Sequence, residues 1–176
     1  MKEMAYQRLS PEAFAEVVLG ASVPVVLAVG SSNCPGCRVL EGALDALEDH
    51  YGPHIRVVRL LATHPDTLEI RHRYLWERGI SFSVNLIPVT IVMVGGEAKA
   101  ILYGPRPAAE LARMVHRYLP GHLPVLSPGP VNVQVLGDRC VGGYICSLPL
   151  TPREVEVLER EGEFISMVAQ WKAFRL

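Results

Sequence analysis

The sequence predicts an α/β fold in which a mixed sheet is sandwiched by helices, with a small α+β extension at its C-terminal end. Three observations carry this expectation. Apolar runs of strand length alternate with helical patterns along the first part of the chain. The last two apolar runs flank Gly95-Gly96-Glu97, a hairpin that makes the sheet mixed. Beyond them, the Pro/Gly-rich stretch Pro120, Gly121, Pro124, Pro128, Gly129 and Pro130 reads as a stiff connection to a shorter unit.

The elements follow in order. Ser10-Pro11 marks a helix start, with Ser as N-cap and Pro at the first helical position. Val23 to Val29 is a Val-rich apolar run that reads as a strand buried on both faces. After Gly30-Ser31-Ser32-Asn33 comes Cys34-Pro35-Gly36-Cys37 and a helix, with Cys37, Leu40, Leu44, Leu47 and Tyr51 on one face and Gly52-Pro53 as its stop. Ile55 to Leu61 is a second strand. Asp66 to about Arg78 is helix-prone, with Leu68, Leu75 and Trp76 as its expected anchors and Gly79 as its end. Val89 to Val94 and Ala98 to Tyr103 form the hairpin, and Pro107 opens a last helix with Leu111, Val115, Tyr118 and Leu119 on one face. In the extension, Val131 to Leu136 alternates like a strand, residues 139–148 read as further strands, and Thr151-Pro152-Arg153-Glu154 is a capped helix start. The expected division is a first domain over 1–120 and an extension over 121–176, docked on it because it is too small to stand alone.

Composition narrows the function. The chain has 176 residues, 49% of them apolar and 20% charged, as in globular proteins. A formal net charge of -1 gives no electrostatic basis for binding nucleic acid or an anionic membrane. No segment has the length and apolarity of a membrane span. Val17 to Val29 has the character of a signal-peptide core, but the leader before it carries Glu3, Glu12 and Glu16, and cleavage near Gly30 would remove the strand that presents the cysteines. A cytoplasmic location is therefore expected, where thiols stay mostly reduced. The four cysteines, in two close pairs, then read as redox or metal groups before structural staples.

A buried strand leading into Cys-x-x-Cys at the mouth of a helix is a specific arrangement. The first cysteine lies where unpaired backbone N–H groups and the helix dipole favour an anion. Lowering a thiol pKa from about 8.5 to about 7 raises its ionised fraction at neutral pH more than tenfold. Cys34 is thus the expected attacking group. Cys37, one turn deeper, is the expected resolving group, and Pro35 and Gly36 shape the start of the helix and tune the redox poise.

Residues Phe14 to Leu119 resemble thioredoxin. The resemblance rests on Pro24-Val25-Val26-Leu27-Ala28-Val29, on Cys34-Pro35-Gly36-Cys37-Arg38, on Ile87-Pro88, on Gly95-Gly96-Glu97 and on the last helix. It implies a thioredoxin-like fold and a protein-disulfide oxidoreductase. It also implies that Pro88 is cis beside the dithiol, and that the backbone of Ile87 pairs with the substrate chain. The departures are specific. The middle pair of the motif is reversed relative to the Gly-Pro of thioredoxin. Asn33 stands where a Trp is usual, and Ala28 stands where a buried acid usually assists the second cysteine. There is also an insertion over roughly Arg73 to Ser83. These departures suggest a narrower partner, or slower resolution by Cys37.

The second pair, Cys140 and Cys146, flanks Val141-Gly142-Gly143-Tyr144-Ile145. A three-residue hairpin loop would oppose the two cysteines at about 4.5–5.5 Å between Cα atoms, within disulfide range. A two-residue loop would turn Cys146 to the other face. A disulfide-capable pair, unlinked core thiols and metal ligands all remain open. His50, His54, His64, His72, His116 and His122 show no ligand spacing and read as surface or helix-end residues.

The expected function is a thiol–disulfide oxidoreductase that exchanges with a protein disulfide or dithiol and is served by a thiol-based electron donor, with no bound cofactor and no metal required. Two rivals belong to other classes: a redox-inactive binding or assembly module on the same scaffold, and a zinc protein using Cys34, Cys37, Cys140 and Cys146.

Overall fold

The computed structural model describes residues 6–32, 34–82 and 87–126. Ser10 caps the first helix, α1 (Pro11–Phe14), by accepting the Ala13 N–H, and a π-helical turn over Ala15–Leu19 continues it. The strands are β1 (Val25–Gly30), β2 (Arg56–Leu61), β3 (Val89–Val94) and β4 (Glu97–Tyr103). Between β1 and β2 runs α2 (Pro35–Tyr51), ended by Gly52 at a φ of 52°. After β2, α3 (Pro65–Ile70) continues through a π-helical turn, Arg71–Leu75, and a 3-10 turn, Trp76–Arg78, to a left-handed Gly79. The last described helix is α4 (Ala108–His116).

The sheet order is β2-β1-β3-β4, with β1 parallel to β2 and antiparallel to β3. β1 lies inside the sheet with both faces covered, which explains why its sequence is a continuous apolar run rather than an alternation. Val26, Ala28 and Val92 pack with α2 and α4 in one core. Val25, Leu27, Val29, Ile91 and Met93 pack with Phe14, Val18, Ile70 and Leu75 in the other. The mixed α/β architecture is the one the residue pattern predicts. Gly95 and Gly96 both have positive φ, as a two-residue hairpin turn between β3 and β4 requires.

Several details differ from the sequence expectation. Trp76 is not an anchor: it is 63% exposed, and its ring lies against His72. Leu75 is buried as expected, but the residues that α3 buries are Thr67 and Ile70, with Leu68 only half-buried. The irregular helix after Ile70 shifts the phase of the apolar face by a fraction of a turn, so regular spacing misplaces the last anchor. The final helix stops at His116, and Tyr118 and Leu119 pack on the core from the turn beyond it. His64 caps α3, its Nδ1 accepting the Asp66 N–H at 3.1 Å.

The strands, helix and Cys pair expected beyond Leu126 lie outside the described residues, as do Asn33 and residues 83–86.

Candidate active site

Cys34 is the N-cap of α2. It has extended backbone, and its Sγ accepts the Cys37 N–H at 3.2 Å. This is where sequence reasoning places an anion-favouring sulphur, because the first N–H groups of a helix have no carbonyl partners within it. Cys34 is half-buried and Cys37 is fully buried. The two are joined as a disulfide, with their Cα atoms 5.1 Å apart. Pro35 begins the helix and Gly36 is buried in its first turn.

The loop before β3 meets this turn. The Ile87–Pro88 peptide bond is cis, as the family resemblance implies. The Ile87 carbonyl oxygen lies 3.7 Å from Cys34 Sγ, with Ile87 half-buried and Pro88 buried. The structure therefore brings Cys34, Cys37, Gly36, Ile87 and Pro88 together around the half-buried Cys34. Cys140 and Cys146 lie outside the described residues. Among the described residues no group of three or more His, Cys, Asp or Glu is disposed to hold a metal ion, and no helix is long and apolar enough to cross a membrane.

The surroundings of Cys37 contain residues that the sequence did not single out. Its Sγ accepts the Ser31 N–H at 3.4 Å. The Tyr6 hydroxyl donates to the Cys37 carbonyl at 3.4 Å. A Cβ on Gly30 would fall 2.8 Å from Cys37 Sγ and 2.8 Å from Tyr6 Cε1 and Cζ, so Gly30 leaves the space that the sulphur and the ring occupy. A glycine ending an apolar strand is a sequence signal for such a close approach. Tyr6 gave no signal, because it precedes the first periodic element. Burial, and secondarily the charge of Glu41, push the Tyr6 phenol far above its usual value against the opposing effect of Arg59, so the hydroxyl stays a donor. At the position where the family usually carries an acid, Ala28 is fully buried, paired in register with Arg59 on β2 and Thr90 on β3. Thr90 Oγ1 is buried with no hydrogen-bond partner among the described residues.

Fold and site together define a dithiol protein, with one half-buried and one fully buried cysteine at the start of a helix beside a mixed sheet. No protein-family model matches the chain. Curated proteins do: a thioredoxin of Synechocystis sp. is 24% identical over 116 residues, covering 65% of this chain and 98% of the relative. The chloroplastic M-type thioredoxin of Chlamydomonas reinhardtii is 23% identical over 111 residues, covering 63% and 72%. A thioredoxin of Pyropia yezoensis is 20% identical over 116 residues, covering 66% and 99%. The chain is thus thioredoxin-like in fold and similar to thioredoxins over about two thirds of its length, with Cys34 and Cys37 as its Cys-x-x-Cys pair. These relatives and the disulfide-capable pair support thiol–disulfide oxidoreductase chemistry in general.

Proposed function

We propose that this protein exchanges disulfides with a protein partner, with Cys34 as the attacking group, Cys37 as the resolving group, and Ile87 and Pro88 as the docking edge for the partner chain. The observation that carries this reading is the asymmetry of the pair. Cys34 caps a helix and is reachable, while Cys37 is buried one turn behind it. In the reduced state the Cys34 thiolate attacks one sulphur of a partner disulfide. The partner's S–S bond breaks, a Cys34–partner bond forms, and the departing partner sulphur takes up a proton. Cys37 then loses its proton and attacks Cys34 Sγ. The internal disulfide forms, and the second partner sulphur leaves and is protonated. The partner gains two electrons and two protons, and the dithiol is oxidised. A thiol-based donor restores the dithiol in two exchanges: one donor thiolate attacks Cys34 Sγ and releases Cys37, and a second attacks the donor sulphur of that mixed disulfide and releases Cys34, leaving the donor oxidised to its disulfide.

Pro35 and Gly36, the residues between the two sulphurs, are assigned to partner binding by their place in the motif. The chemistry suits a reducing compartment such as the cytoplasm, where the dithiol form persists. The test is alkylation of reduced protein at mildly acidic pH with peptide mapping, alongside reduction of insulin disulfides. Cys34 should be labelled first and insulin should be reduced. Reaction of Cys34 no faster than free cysteine, with no insulin reduction, would leave the scaffold-module reading in its place. Bound zinc in the purified full chain would favour the metal reading.

A further inference from the structure

An exchange centre of this kind must direct every incoming thiol to one of two bonded sulphurs. We infer that Tyr6 is a positioning residue that screens Cys37, so that exchange with partners is confined to Cys34. The inference rests on the disulfide-exchange reading above. A partner thiolate that attacks Cys34 Sγ breaks the Cys34–Cys37 bond and forms a mixed disulfide at the surface, and Cys37 departs with the electron pair and takes up a proton. Attack on Cys37 would instead place the mixed disulfide inside the core and release Cys34.

Three observations place Tyr6 in this role. First, β1 has no side chain at Gly30, and the space this leaves is filled jointly by Cys37 Sγ and the Tyr6 ring. Second, Tyr6 is only 4% exposed although it belongs to a segment outside the helices and main strands. That segment is strapped to the edge of β2 by the neighbouring Gln7, whose N–H donates to the Arg59 carbonyl at 3.0 Å and whose carbonyl accepts the Leu61 N–H at 2.9 Å. Third, the phenol hydroxyl donates to the Cys37 carbonyl, which ties the ring to the turn of α2 that carries the sulphur. The strap is an addition to the sheet–helix unit, and it lies against the sulphur that chemistry requires to stay hidden from partners.

The experiment follows Cys37 in a Cys34→Ser background by iodoacetamide alkylation under native conditions with peptide mapping, which reads Cys37 apart from Cys140 and Cys146. With Tyr6 present, Cys37 should react about tenfold or more slowly than free cysteine, and Tyr6→Ala should raise its rate about tenfold or more. Tyr6→Phe keeps the ring and should keep Cys37 slow, which separates screening by the ring from the hydroxyl contact. In a Cys37→Ser background oxidised glutathione should form a stable adduct on Cys34; in the Cys34→Ser background it should leave Cys37 unmodified, and adding Tyr6→Ala should allow the adduct on Cys37. An unchanged Cys37 rate in Tyr6→Ala that retains its circular dichroism overturns the inference, as does Tyr6→Phe exposing Cys37 as fully as Tyr6→Ala. If Tyr6→Ala does not fold, Tyr6→Leu takes its place: it keeps an apolar group in the core but leaves part of the sulphur uncovered. It should give a several-fold rise, and no rise overturns the inference. The outcome is independent of Cys34 reactivity, so an inert Cys34 would sink the oxidoreductase reading without deciding this one.

Discussion

At the scale of single residues, the site depends on what is missing at two positions of β1. Gly30 lacks the side chain that would collide with Cys37 Sγ, and Ala28 lacks the acid that thioredoxins usually place near their second cysteine. Cys37 must lose a proton to resolve a mixed disulfide, yet full burial disfavours its thiolate. Ala28 shares a core with Cys37 and lies in register with Thr90, whose hydroxyl has no partner among the described residues. A carboxylate introduced by Ala28→Asp would give that hydroxyl an acceptor across the strand pair. The substitution should speed resolution and cost about 1–3 kcal/mol of stability. Adding Thr90→Val should deepen the cost by removing the donor. Stopped-flow resolution of a Cys34 mixed disulfide between about pH 6 and pH 9 reads the first effect, and urea unfolding the second. An unchanged rate in a folded Ala28→Asp protein would show that the proton already leaves by another route.

At the scale of elements, α2 carries both sulphurs and must be held against the sheet. Its apolar face does most of this through Leu40, Leu44 and Leu47, all fully buried. A polar clasp adds orientation. Arg59 of β2 meets Asp45 at 3.3 Å and Glu48 at 2.8 Å, with only 11% of the Arg59 side chain exposed. A planar guanidinium that spans two carboxylates is not replaced by a smaller group. Arg59→Ala would leave two part-buried carboxylates on one helix face without this cation, and it should destabilise the protein by about 3 kcal/mol or more. Arg59→Lys should lose less, because the charge remains while the fork does not. Chemical denaturation of the three proteins in the oxidised state checks this order, and an Arg59→Ala protein as stable as its parent would make the clasp energetically neutral.

At the scale of the whole molecule, the question is where the redox unit ends. Beyond α4 the chain returns to the far end of α2. The His50 Nε2 donates to the Pro124 carbonyl at 2.8 Å, the Leu126 N–H donates to the Tyr51 hydroxyl at 3.2 Å, and Leu126 packs on the core. These contacts gather at the opposite end of α2 from Cys34 and Cys37. We propose that residues 1–120 hold the chemistry and that residues 121–176, with Cys140 and Cys146, form an extension to it. A chain ending at Leu126 should then unfold in one cooperative transition and keep Cys34 as its fast-reacting thiol. Loss of that transition would place part of the core in the extension.

The residue pattern by itself determined the order of strands and helices, the buried character of β1, the caps at Ser10 and Gly52, and the dithiol at the mouth of α2. Each is a local signal, set by periodicity, by the allowed backbone angles of Gly and Pro, or by the free N–H groups of a helix end. The exposure of Trp76 was not legible in this way, because an irregular turn between residues 71 and 75 changes the face that a fixed period would assign. Nor were the ring of Tyr6 over Gly30 or Thr90 beside Ala28, its hydroxyl unpartnered among the described residues, while the nearness of Ile87 to Cys34 came from the family resemblance and not from a local signal. These join residues far apart in sequence, and only the register of the sheet and the path of the strap on β2 bring them within reach of one sulphur.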